Sequence, residues 1–101
     1  METEVVFHPD AHQEYLDALQ HYMNISERVA RRFQKSVIDA VRLISTGPEQ
    51  WPSVEGAIRF VRLRRFPFIR YYEPVTSDCV QVLAVAHGRR RPGYWVHRQP
   101  D

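Results

Sequence analysis

A chain of 101 residues with one cysteine and a formal charge of +2 suits a single domain with one cooperative core, and it excludes an internal disulfide and a cysteine zinc site. No apolar stretch approaches the roughly 20 residues needed to span a bilayer, and METEVVFHPD lacks the basic-then-apolar pattern of an export signal. A membrane partner is therefore not expected, and a cytoplasmic location is. The small net charge hides an asymmetry: residues 1–55 hold five basic and nine acidic groups, whereas residues 56–101 hold nine arginines and three acids, a cationic half that suits nucleic acid or an acidic protein segment as partner, or serves solubility alone.

Thr3 to Phe7 is short and β-branched and runs into His8-Pro9, so it reads as a strand. Pro9 and Asp10 start a helix, and Ala11, Tyr15, Ala18, Leu19 and Tyr22 give it one apolar face ending near Met23. Ser26 is placed to cap a second helix over Glu27 to Ser45, with Ala30, Phe33, Val37, Ala40, Val41 and Ile44 inward and Gly47-Pro48 as its stop. Arg28, Arg31, Arg32, Lys35 and Arg42 lie off that stripe, on a solvated face. The short break makes the two helices an antiparallel hairpin.

Pro48 to Gly56 reads as a loop with Trp51 as a lid. Ala57–Leu63 and Phe66–Glu73 alternate apolar with basic or aromatic residues, as half-buried strands do, and Arg64-Arg65 joins them. After a turn over Pro74–Asp78, Cys79 to Ala86 is apolar except at Gln81 and reads as a central strand covered on both faces. The expected order is β-α-α-β-β-β: an α+β domain over residues 1–98, with a helical hairpin on an antiparallel meander and a short tail over 99–101. The pairing of the first strand stays open.

The last strand delivers His87, Gly88, Arg89, Arg90, Arg91, Pro92, Gly93, Tyr94 and Trp95. Arg, Tyr and Trp dominate interface hot spots, so Arg89, Arg90, Arg91, Tyr94 and Trp95 form the candidate docking surface. A ribonuclease would instead use His87 as acid or base, Arg70, Arg89 and their neighbours for charge, and Tyr94. Glu55 and Glu73 are the only acids expected near the sheet, and a docking surface asks less of these residues than a catalytic set, so binding is favoured over catalysis. His8, His12, His21, His87 and His97 have no metal-ligand spacing, and no Gly-rich phosphate loop exists, so neither metal nor cofactor is expected. Without a helix-turn-helix pattern, direct DNA binding is not expected.

This order of elements, with FPF opening the third strand, Tyr71-Tyr72 along it and LAVAHGRRRP ending the fourth, resembles the RelE/ParE superfamily of type II toxin–antitoxin toxins, closer to the ParE branch. The resemblance covers nearly the whole chain. It implies a role in growth arrest and plasmid stabilisation, and a small, acidic, partly disordered, ParD-like antitoxin that wraps the sheet and hairpin. Tyr15, Leu19, Arg59, Arg62, Arg70 and Tyr72 are the positions it would meet. ParE members inhibit DNA gyrase without known catalysis, and Arg89–Trp95 would be the contact. RelE members cleave mRNA on the ribosome, which is the alternative, and a module with no toxic activity of its own is the third.

Overall fold

His8 ends the first strand and starts the first helix: its Nδ1 accepts the Asp10 N–H at 3.0 Å, and Pro9 occupies the first helical turn, where no amide is needed. The computed structural model, which describes residues 2–99, runs β1 (Glu4–Phe7), α1 (Pro9–Ile25), α2 (Glu27–Thr46), β2 (Ser53–Glu55), β3 (Ile58–Arg62), β4 (Phe68–Thr76), β5 (Cys79–His87) and a 3₁₀ turn over Val96–Arg98. Ser26 alone separates the helices. Its N–H donates to the Tyr22 carbonyl, and its hydroxyl accepts from the Val29 N–H at 3.4 Å. One residue thus closes one helix and opens the next, which fixes the hairpin.

The hairpin lies on one face of a five-stranded sheet of order β1-β5-β4-β3-β2. Phe33 on α2 is the hub of that interface. It is enclosed by Tyr15 and Tyr22 from α1, Phe66 before β4 and Phe68 on β4, with ring centroids 5.0 to 5.9 Å away. On the opposite face, Ile58, Ile69, Tyr71, Leu83, Ala84 and Ala86 form a second apolar cluster, closed by Trp95.

The α+β order is as expected, but the sheet is mixed. The meander β3-β4-β5 is antiparallel, and β1 joins β5 in parallel, with Glu4 opposite Cys79 and Phe7 opposite Val82. A parallel pair needs a long crossover, and the chain between β1 and β5 supplies it. The expected loop contains β2, which pairs antiparallel with β3 although all three of its residues are exposed. The expected turn at Pro74 is strand: β4 continues to Thr76 through a register irregularity that accommodates the proline, leaving Ser77-Asp78 to turn. β4 takes the middle of the sheet and β5 lies beside it, so Cys79–Ala86 is internal and covered on both faces but is not the central strand.

A second irregularity matters more. Tyr72 faces Val82 and Tyr71 faces Ala84, so Leu83 is an extra residue on β5. Val80 and Val82 face the hairpin before it; Leu83 and Ala84 both face away after it. Among the described residues no helix is long and apolar enough to cross a membrane. Of the expected tail, Gln99 docks on the sheet by donating to Glu73 at 2.9 Å; residues 100 and 101 lie outside the described range.

Candidate functional site

The chain leaves the sheet at His87. Its ring stands edge-on to Phe68 at 5.4 Å, its Nδ1 accepts the Arg89 N–H at 3.1 Å, and the Gly88 N–H donates to the Pro67 carbonyl at 2.7 Å. Arg89, Arg90 and Arg91 follow, all exposed, but they are not equivalent. Arg90 Nη1 donates to Glu14 Oε2 at 3.1 Å, and its guanidinium lies 3.6 Å from the centroid of the Tyr94 ring. Arg89 and Arg91 make no ion pair or side-chain hydrogen bond among the described residues.

What fixes this tip is a residue absent from the expected site. Ala11, Glu14 and Ala18 recur at i, i+3 and i+7, on a line of α1 whose alanines are buried. β1 stops opposite Val82, so beyond the bulge β5 has no strand on that side. Glu14 Oε1 accepts the Val85 N–H at 3.1 Å, and Arg98 Nη1 donates to the Leu83 carbonyl at 3.0 Å. Two side chains thus supply the acceptor and donor that a further strand would have supplied. They also pair with each other, Arg98 Nη1 to Glu14 Oε1 at 2.9 Å, with side chains 8% and 14% exposed. Glu14 Oε2 completes its set by accepting the Tyr94 hydroxyl at 2.7 Å. Burial, and next the hydrogen bond to the Glu14 carboxylate, push the Tyr94 phenol well above its ordinary range.

Three expected site residues are not available to a partner. Trp95 is 2% exposed and stacks on Tyr71 at 4.4 Å, because the second apolar face needs a cover and the indole is the largest group the C-terminal segment offers. Arg70, expected both as a catalytic cation and as an antitoxin contact, is fully buried beneath the hairpin. Its Nη1 donates to the Val37 carbonyl at 3.2 Å, its guanidinium sits 4.9 Å from the Phe7 centroid, and Nε and Nη2 have no partner among the described residues. Burial lowers its pKa to about 10. Tyr72 is 1% exposed and donates to the Pro48 carbonyl at 2.6 Å; with Arg59 it lines a pocket of about 200 Å³. Of the ribonuclease set, then, His87, Arg89 and Tyr94 stay near the surface, Tyr94 with its hydroxyl engaged, while Arg70 is sealed away.

The remaining antitoxin positions divide. Tyr15 and Leu19 are half-buried and packed on the hairpin core, and Arg59 donates to the Trp51 carbonyl at 2.6 Å. Arg62 is exposed and lines a groove of about 430 Å³ between α2 and the end of β3. Ala40 and Leu43 give this groove apolar walls, and Arg42, Arg62 and Arg64 surround it with one acid, Asp39. The β3–β4 turn is held against α2 by the Ser36 hydroxyl donating to the Arg64 carbonyl at 3.0 Å, and Arg65 closes the turn with φ 69°. The sequence pattern missed the groove because Arg42, Arg62 and Arg64 lie on separate elements; it missed Glu14 because a helical glutamate reads as solvated unless its place between two buried alanines is noticed.

Residues 5–92 match the family model described as ParE toxin of type II toxin-antitoxin system, parDE. No curated protein sequence matches the chain. In fold it is similar to a solved chain from the chromosomal ParDE toxin–antitoxin system of P. aeruginosa, with a TM-score of 0.71 at 19% identity, over 84% of this chain and 95% of that one.

Proposed function

The chain belongs to the ParE toxin family of type II toxin–antitoxin systems, and from that membership we propose that it arrests growth by docking on DNA gyrase through the tip after β5, with no chemical step of its own. Arg89 and Arg91 are the contacts, while Arg90 and Tyr94 shape the tip from behind and Trp95 anchors it from below. The observation that carries this is the division among the three arginines: Arg90 is held by Glu14, whereas Arg89 and Arg91 are exposed with no acidic partner among the described residues. A guanidinium in that position offers a planar donor set to a carboxylate or phosphate on a target. Such action takes place in the cytoplasm, where gyrase works.

Neutralisation falls to an antitoxin with an acidic, amphipathic segment, laid in the groove between α2 and β3. Apolar walls with three arginines around them suit such a segment better than nucleic acid, which would gain from exposed aromatic stacking surfaces the groove lacks. The ribosome-dependent mRNA nuclease is weaker, because the buried Arg70 cannot reach a phosphate and the Tyr94 hydroxyl is committed to Glu14. Purified protein added to gyrase and relaxed plasmid tests the proposal: blocked supercoiling supports it, and normal supercoiling with loss of ribosome-bound transcripts in cells replaces it with the nuclease.

A further inference from the structure

The second face of the sheet is closed by a segment that the backbone does not hold. Among the described residues, the backbone hydrogen bonds of residues 93–99 are all internal: Val96 N–H to Gly93, Arg98 N–H to Trp95 and Gln99 N–H to Val96. Every tie to the rest of the protein is a side chain. Trp95 stacks on Tyr71, Gln99 donates to Glu73, Arg98 donates to the Leu83 carbonyl, and Tyr94 and Arg98 both meet Glu14. Arg90, just upstream, meets the same carboxylate. Asp10 approaches Arg98 Nε only to 3.7 Å. The cover is imperfect as well, since the Trp95 indole N–H is buried without an acceptor, which weakens the very contact that seals the face.

We propose that Gly93–Gln99 is a detachable strap, latched by the single Glu14 carboxylate, that lifts off as a unit while the helical hairpin and sheet stay folded. Segments with few backbone ties to their surroundings open at lower free energy than the core they cover. Gly93, at φ 86°, stands at the start of the strap and lets the chain swing there at low steric cost, while the Gly88 N–H holds the base of the tip to the Pro67 carbonyl. With the strap lifted, Glu14 loses Tyr94 and Arg98 and keeps Arg90, while the Arg90 guanidinium loses the Tyr94 ring beneath it, so the strap sets how the tip is shaped. This inference rests on the fold and not on the identity of the target.

The test uses the full chain carrying Trp51→Phe, which leaves Trp95 as the only indole. Urea unfolding is followed by Trp95 emission and by far-UV circular dichroism on the same samples, with Glu14→Gln and Tyr94→Phe added in turn. Glu14→Gln keeps an acceptor for Val85 while removing the charge; Tyr94→Phe removes one hydrogen bond and keeps the charge. The Trp95 transition is expected to separate from the dichroism transition and precede it, widely in Glu14→Gln and less so in Tyr94→Phe. Acrylamide quenching of Trp95 in native Glu14→Gln should rise at least threefold. Coincident transitions in both variants, or quenching unchanged by Glu14→Gln, would overturn the strap, because indole burial would then be inseparable from global folding.

Discussion

The Arg70 guanidinium reaches the Val37 carbonyl of α2 at 3.2 Å from the middle of the sheet, and this is the single hydrogen bond it makes among the described residues. A charge sealed there without a counter-ion opposes folding; the drop of its pKa to about 10 corresponds to about 3 kcal/mol of disfavoured charge. Arg70→Met fills a similar volume with apolar atoms, so it is expected to raise the unfolding free energy by about 1–3 kcal/mol. Equilibrium urea unfolding at neutral pH measures it, and a loss of stability would mean that the hydrogen bond and the Phe7 contact outweigh the burial.

Tyr72 gives stability a pH dependence of known sign. Burial pushes its phenol up to about 12, with Arg59 pulling the other way. Below pH 10 both folded and unfolded forms keep the proton; between pH 10 and 12 the unfolded chain releases it and the folded protein does not, so stability falls with rising pH. Tyr72→Phe removes that dependence along with the hydrogen bond to Pro48. Wild type should be the more stable by about 1 kcal/mol at pH 8, and the difference should move by about 2 kcal/mol between pH 10 and 12 and reverse, leaving Tyr72→Phe the more stable at the upper end. A difference that stays constant across that range contradicts the assignment.

The groove between α2 and β3 predicts a separation of phenotypes. Replacing Arg42, Arg62 and Arg64 together with glutamate leaves the tip untouched and sets like charge against an acidic antitoxin segment. Affinity for the antitoxin is expected to fall at least tenfold at low salt, with the effect shrinking as salt rises, while growth arrest by the toxin alone persists. Isothermal titration at two salt concentrations and a plating assay read the two halves, and unchanged affinity would move the antitoxin elsewhere.

Much of this fold was legible in local pattern. Pro9, Ser26 and Gly47 marked the helix ends to within two residues because capping and termination are decided within one turn. The parallel pairing of β1 with β5 was not legible, since nothing within four residues of a strand says which distant edge receives it. β2 was hidden because Ser53, Val54 and Glu55 are exposed and carry no burial period. Arg70 misled for a related reason: apolar-basic alternation along FIRYY suggested one wet face, whereas the hairpin covers one face of β4 and Trp95 the other. At the site, sequence located the arginines and aromatics of the tip. It could not divide them into Arg90, Tyr94 and Trp95 held by the protein and Arg89 and Arg91 left free among the described residues, because Arg90 and Tyr94 are held by Glu14, more than 70 positions away, and Trp95 by Tyr71 on the second face of the sheet.

The docking role of the tip is tested most directly by gyrase supercoiling in the presence of purified wild type and Arg89→Ala/Arg91→Ala, a pair that leaves the Glu14 contacts intact. Wild type should block supercoiling, and the double variant, with an unchanged urea midpoint, should need at least tenfold more protein to do so. Equal inhibition by the two proteins, or none by wild type, would contradict the account.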